Sequence, residues 1–194
     1  MLHRLLAFAW LLAALVLVPA RAQALGEGEA VLLVARPELL DPNFAETVVL
    51  VVFPPGGGPT GVILNRPTQL QWKDAFPGER GLEQRTDPIY FGGPVQLRVL
   101  WYLFHRAQAP ETALPVVDDL YLSADGKLLD RVLAGEGEVE RFFVGYAGWS
   151  PAQLEMEIAQ GAWYVLPADA QSIFGLEPRT MWRELLRRAT AIRT

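Results

Sequence analysis

The sequence predicts an α+β domain with a mainly antiparallel sheet. Short apolar and β-branched runs follow one another along the chain rather than alternating strictly with helices. Gly, Pro and Asn close these runs at short intervals, most clearly at Asn65-Arg66-Pro67 and Gly92-Gly93-Pro94. No internal repeat, low-complexity tract or linker interrupts the chain beyond residue 26, so one domain is expected over 25–194.

Each element has a local reason. Val31 to Ala35 is an apolar run stopped by Arg36-Pro37, because the residue before Pro avoids the helical region. Asp41-Pro42-Asn43 reads as a turn. Thr47 to Phe53 is continuous and β-branched, the pattern of a strand covered on both faces. Pro54 to Pro59 is a loop, and Gly61 to Leu64 returns as the second strand of a hairpin. Residues 68–87 are polar and irregular, with one helical turn near Trp72–Phe76. Strands are expected at Ile89–Phe91, Val99–Phe104, Leu120–Ser123, Phe142–Tyr146 and Trp163–Leu166. Lys127 to Ala134 reads as a helix ended by Gly135. Ser150-Pro151-Ala152-Gln153 predicts a helix start, with Ser150 as N-cap, Pro151 at N1 and Gln153 completing a capping box. Thr180 to Ile192 predicts a final helix with Met181, Trp182, Leu185, Leu186 and Ala189 as its apolar stripe.

Residues 1–24 stand apart. His3 and Arg4 precede fourteen consecutive apolar residues, Leu5 to Val18, and Ala20-Arg21-Ala22-Gln23-Ala24 holds two overlapping Ala-x-Ala sites. That order of basic, apolar and small-residue regions predicts a cleaved secretory signal, hence an exported, periplasmic protein. As a helix the apolar run reaches about 21 Å, short of the ~30 Å hydrocarbon core. Cleavage leaves 15 basic against 22 acidic residues, a formal −7 in place of −5. No second long apolar run follows, so no stable membrane insertion of the mature chain is expected.

Composition excludes several chemistries. Cys is absent, which removes disulfides, thiol nucleophiles, Cys-zinc sites and iron–sulfur clusters. The acidic balance argues against a nucleic-acid partner, since phosphate backbones need a cationic face. After the leader, His105 is the one remaining histidine, and no G-x-S-x-G elbow accompanies it. A histidine at a strand end is most simply structural. Asp118-Asp119 lacks a calcium-loop pattern, and Glu155 and Glu157 are two apart on a helix, where side chains do not face each other. No metal and no cofactor are therefore expected. Pro54 to Pro59 has no Lys-Ser/Thr and leads into a strand, which defeats a phosphate-loop reading. Gly92-Gly93 reads as a tight turn or as an anion nest. Arg179, Arg183, Arg187, Arg188 and Arg193 form a basic C-terminal cluster, expected as a solvated helix face. Arg36, Asp41 and Asn65 are polar residues at the ends of apolar strands, and either structural turns or a binding cleft accounts for them.

Taken in order, these segments resemble the YqgE/AlgH family of bacterial proteins. The resemblance rests on Leu33-Val34-Ala35-Arg36-Pro37, Asp41-Pro42-Asn43-Phe44-Ala45-Glu46-Thr47-Val48 and Gly61-Val62-Ile63-Leu64-Asn65-Arg66-Pro67. It continues through Tyr90-Phe91-Gly92-Gly93-Pro94-Val95-Gln96, His105, and Gly145-Tyr146-Ala147-Gly148-Trp149-Ser150-Pro151-Ala152-Gln153-Leu154-Glu155-x-Glu157 with Ala162-Trp163. It implies a sheet bent into a pseudo-barrel with flanking helices, and no established enzyme activity. Family-motif positions for binding would be Arg36, Asp41, Phe44, Asn65, Gly92, Gly93, His105, Gly148, Trp149 and Gln153. The chain departs from the family pattern at Ala152, where Gly is common, at Arg36, where an apolar residue is usual, and in its leader, since members are typically cytoplasmic.

Three functional readings follow. The first is a non-enzymatic binding or regulatory domain for a ligand or protein partner that the sequence does not name. The second is a small hydrolase in which Asp41, Asn65, Arg36 and His105 converge on one pocket. The third is a nucleic-acid-binding transcriptional regulator using a continuous C-terminal arginine stripe. Export disfavours the third, because a periplasmic domain cannot reach DNA.

Overall fold

The structure, a computed structural model, describes residues 30–78 and 82–191. The predicted secretory signal lies outside them. Nine strands form one sheet: β1 (Val31–Ala35), β2 (Val48–Val52), β3 (Thr60–Ile63), β4 (Ile89–Phe91), β5 (Val95–His105), β6 (Leu114–Val117), β7 (Leu120–Ser123), β8 (Glu138–Gly148) and β9 (Trp163–Pro167). Their order is β6-β7-β5-β8-β3-β2-β1-β9, with β4 on β8. Every pairing is antiparallel except β4 with β8. The sheet curls into a half-barrel, flanked by five helices: α1 (Trp72–Ala75), α2 (Gly126–Arg131), α3 (Pro151–Ala159), α4 (Ala170–Phe174) and α5 (Pro178–Ala191).

β1 and β2 are buried at every position, because both faces of this part of the sheet are covered. Leu32, Val34, Val48 and Leu50 meet Met181, Leu185 and Ala189 of α5. On the other face Val31, Leu33, Val49 and Val51 meet Leu154 of α3 with Trp149 and Trp163. The β5–β8 half has its own outer layer, in which Tyr102, Phe104 and Phe142 pack with Trp72 and with Leu128 and Leu129 of α2. The β2–β3 hairpin forms in the register Val49↔Ile63 to Val52↔Thr60, as the sequence predicts.

Several boundaries differ from the sequence reading. β5 begins at Val95, and β8 runs from Glu138 through Gly148, both well beyond the apolar runs. Gly145 sits inside β8 at φ 70, where the register between β5 and β8 shifts by a bulge. The helix expected over Lys127–Ala134 is α2 followed by a π-helical turn, Val132–Glu136, that contains Gly135 at φ 105. β6 and α4 went unread. β6 is a four-residue edge strand containing Pro115, which periodicity cannot distinguish from loop.

Candidate functional site

The turn between β1 and β2 and the end of β3 are tied into one corner. Asp41 Oδ1 accepts the Asn43 amide at 2.7 Å, so the carboxylate closes the predicted turn. Asn65 binds two backbone groups of the neighbouring segment. Its Oδ1 accepts the Val48 amide and its Nδ2 donates to the Glu46 carbonyl, both at 2.9 Å. Arg66 does more. Its Nη1 donates to the carbonyls of Pro42 (3.0 Å) and Asn43 (2.7 Å), and its Nη2 to that of Ala45 (3.0 Å). Burial lowers the Arg66 pKa, with Asp41 opposing the shift. These ties hold Glu46 at φ 56, a left-handed conformation uncommon for a residue with a side chain.

α5 docks beside this corner. Trp182 Nε1 donates to the Ala35 carbonyl at 2.7 Å, across 147 residues of chain. Between the corner and the first two turns of α5 lies an open cleft of about 450 Å³. Its polar wall is Glu46, Asn65, Arg66, Arg179 and Arg183; Ala45, Pro178 and Trp182 complete it. Three arginines and one glutamate therefore line it.

Among the described residues, the C-terminal arginines differ in their partners. Arg187 pairs with Glu184. Arg188 Nη1 donates to Ser172 Oγ at 2.6 Å, and the Asp169 carboxylate stands 3.6 Å away. Arg179 and Arg183 are exposed and make no ion pair with any described carboxylate.

Phe44, Trp149 and Gln153 also come together, but as a packed knot. Glu157 Oε2 accepts both Trp149 Nε1 (3.0 Å) and Trp163 Nε1 (2.9 Å), while its Oε1 accepts Gln153 Nε2 at 2.9 Å. The Phe44 ring lies 6.0 Å from that of Trp149 and 5.7 Å from that of Trp163. Ser150 caps α3 through the Gln153 amide, as expected. The reciprocal half of the capping box is absent, because the Gln153 side chain goes to the charged acceptor one turn on.

The remaining predicted residues have separate duties. Arg36 lays its guanidinium 4.2 Å from the Tyr164 ring centre, with a buried Nε that has no hydrogen-bond partner. Gly92 donates to the Val144 carbonyl and accepts from Ile63, both at 2.9 Å, so it is a strand junction rather than an anion nest. At Gly93, φ 152, a Cβ would stand 2.4 Å from Tyr146 backbone atoms. Gly148 pairs with Thr60 at the end of β8. His105 Nδ1 lies 2.8 Å from Asp119 Oδ1 and its Nε2 3.9 Å from Glu140. Among the described residues, no hydrogen bond or ion pair joins His105 to Arg36, Asp41 or Asn65, and no hydroxyl is hydrogen-bonded to its ring. No group of three or more His, Asp or Glu among the described residues is placed to hold a metal ion.

An AlgH-like family profile matches residues 32–192. The chain belongs to that family. AlgH-like relatives include a UPF0301 protein of Chlorobaculum tepidum, 36% identical over 160 residues, covering 80% of this chain and 83% of that one. Another, from Thermobifida fusca, is 40% identical over 179 residues, covering 81% and 84%. The solution structure of the AlgH protein from Pseudomonas aeruginosa superposes with a TM-score of 0.65 at 30% identity, covering 84% of this chain and 87% of that one. A crystal structure from Corynebacterium diphtheriae shares the fold at TM-score 0.63 and 23% identity, covering 84% and 86%. None of these descriptions assigns a reaction.

Arg66 and Glu157 were not singled out as site residues by sequence reasoning, and Arg179 and Arg183 entered only through the C-terminal arginine stripe. Arg66 follows Asn65 directly, and only the fold shows that it carries more of the corner than Asn65 does. A signal for the other two arginines was present. Like charges at i,i+4 repel, and cations in the first turns of a helix oppose its dipole. Arg179 and Arg183 break the first rule, and Arg179, in the first turn of α5, also breaks the second. Residues that break local rules without compensation mark functional positions.

Proposed function

We propose that this AlgH-like chain is a non-enzymatic binding or regulatory domain that acts outside the cytosol and takes its ligand in the cleft between the 41–46 turn and α5. The observation that carries this reading is the division of labour among the polar residues. Asp41, Asn65 and Arg66 spend their hydrogen bonds on backbone, and His105 sits with two carboxylates and no nucleophile. General acid–base and nucleophilic catalysis need such groups in mutual contact. Arg179 and Arg183, in contrast, line a cleft with their charges uncommitted. The leader supports action beyond the cytosol.

The test uses protein purified after expression of the full sequence. A small-molecule panel is screened by thermal shift, and hits are mapped by amide chemical shifts. The expected hits raise the unfolding temperature and perturb residues 45–46, 65–66 and 178–183. Turnover of an ester, amide or phosphoester substrate that His105→Ala abolishes would overturn the reading.

A further inference from the structure

We propose that the ligand of this cleft is a small organic phosphate monoester, gripped by Arg179 and Arg183 with Arg66 as a fixed third cation. The proposal rests on the binding-domain reading and adds the chemical class.

Charge sets that class. Three arginines against Glu46 leave the cleft with an excess of two positive charges. A phosphate monoester carries ≈ −1.5 to −2 at neutral pH, whereas a carboxylate carries −1. The same helix neutralises Arg187 and Arg188 with its own and neighbouring carboxylates and leaves the cleft pair without one. Arg179 and Arg183 thus remain repelled by each other until an anion lies between them. Their guanidinium forks match phosphate oxygens in geometry as well as charge. Arg66 is already held by three carbonyls, so it contributes field rather than new bonds.

Shape sets the rest. A cleft of about 450 Å³ falls in the range of small-molecule sites and exceeds what a bare phosphate fills. Pro178 and the half-buried Trp182 offer apolar surface to a carbon skeleton. The Trp182 N–H is already bonded to Ala35, so its ring contributes area rather than a donor. Glu46 is a ready acceptor for a ligand hydroxyl.

The experiment titrates full-sequence-derived protein with phenyl phosphate, inorganic phosphate, benzoate, and vesicles with and without phosphatidic acid. Phenyl phosphate is expected to bind more tightly than inorganic phosphate or benzoate and to shift the resonances of Trp182 and residues 179–183. The double variant Arg179→Gln/Arg183→Gln is expected to bind at least tenfold more weakly with an unchanged or raised unfolding temperature. Arg187→Gln, which removes one charge from the same helix, is expected to bind as wild type. Preference for phosphatidic-acid vesicles over phenyl phosphate assigns the phosphate to a lipid headgroup and overturns the small-molecule assignment. Phosphate binding that survives in the double variant overturns the site. If no phosphate binds while another molecule does bind in the cleft, the phosphate class falls and the binding reading stands. If nothing binds there, both fall.

Discussion

Glu157 shows how one side chain can fix a whole corner. Its Oε2 is the hydrogen-bond partner of two indoles whose residues are only 7% and 3% exposed, Trp149 and Trp163. Removing it leaves both N–H groups buried and unpaired, at a cost of about 1–3 kcal/mol each. Glu157→Ala is therefore expected to destabilise the domain by roughly 2–6 kcal/mol, read as a lower midpoint in chemical denaturation. Gln153→Ala, which removes only the exposed bond to Oε1, should stay within about 1 kcal/mol of wild type. Equal effects of the two would refute the shared-acceptor account. Neither residue lines the cleft, so the surviving protein keeps its ligand affinity.

Among the elements, β8 does the organising. β5 lies along one side of it, while β4 and β3 share the other. Room for that arrangement comes from glycine. A Cβ on Gly92 would stand 2.2 Å from the Gly145 carbonyl oxygen, which only a backbone shift could relieve. Gly92→Ala is expected to cost about 2 kcal/mol or more through overpacking. Gly126→Ala, at the start of α2 with nothing within 4 Å, should be neutral or slightly stabilising. Denaturation midpoints of the two variants decide it, and a neutral Gly92→Ala would break the close-approach argument. The legibility of the elements follows the same physics. α5 was readable because burial on one face writes a period into the sequence, and β1 and β2 because burial on both faces writes a continuous apolar, β-branched run. β8 was readable only in part, because it passes from a half-exposed start at Glu138 to a buried middle. Arg141 illustrates the limit. It lies just before the apolar run Phe142–Tyr146, is 9% exposed, and stands 4.6 Å from the Tyr90 ring centre and 5.6 Å from that of Phe174. Burial lowers its pKa. Nothing in its neighbours along the chain announces that α4 folds over it. The candidate site was legible at Asp41 and Asn65, residues at strand ends, and illegible as a cleft, because its other wall is a helix more than 110 residues away in sequence.

At the scale of the molecule, an acidic chain carries a local basic cleft, and the export we propose would determine which anions that cleft can meet. Cleavage after Ala22 or Ala24 would remove two positive charges from the chain, setting the cleft's excess of cations against a formal −7 overall. Non-specific attraction of polyanions such as nucleic acid is then weak, and selection falls to the cleft itself. Only six residues, 25–30, separate the second cleavage site from β1, at most about 21 Å of extended chain. β1 is buried at all five positions and lies between β2 and β9. A retained leader would hold the half-barrel against the membrane, whereas a cleaved one releases it. The mass of the chain recovered from cells expressing the full sequence separates these cases. A chain beginning at Gln23 or Leu25 in the periplasmic fraction is the expected result, and its ligand must then be a molecule available there. Recovery of the intact Met1 chain in the cytosol would return the whole range of intracellular anions to contention and remove the argument for export.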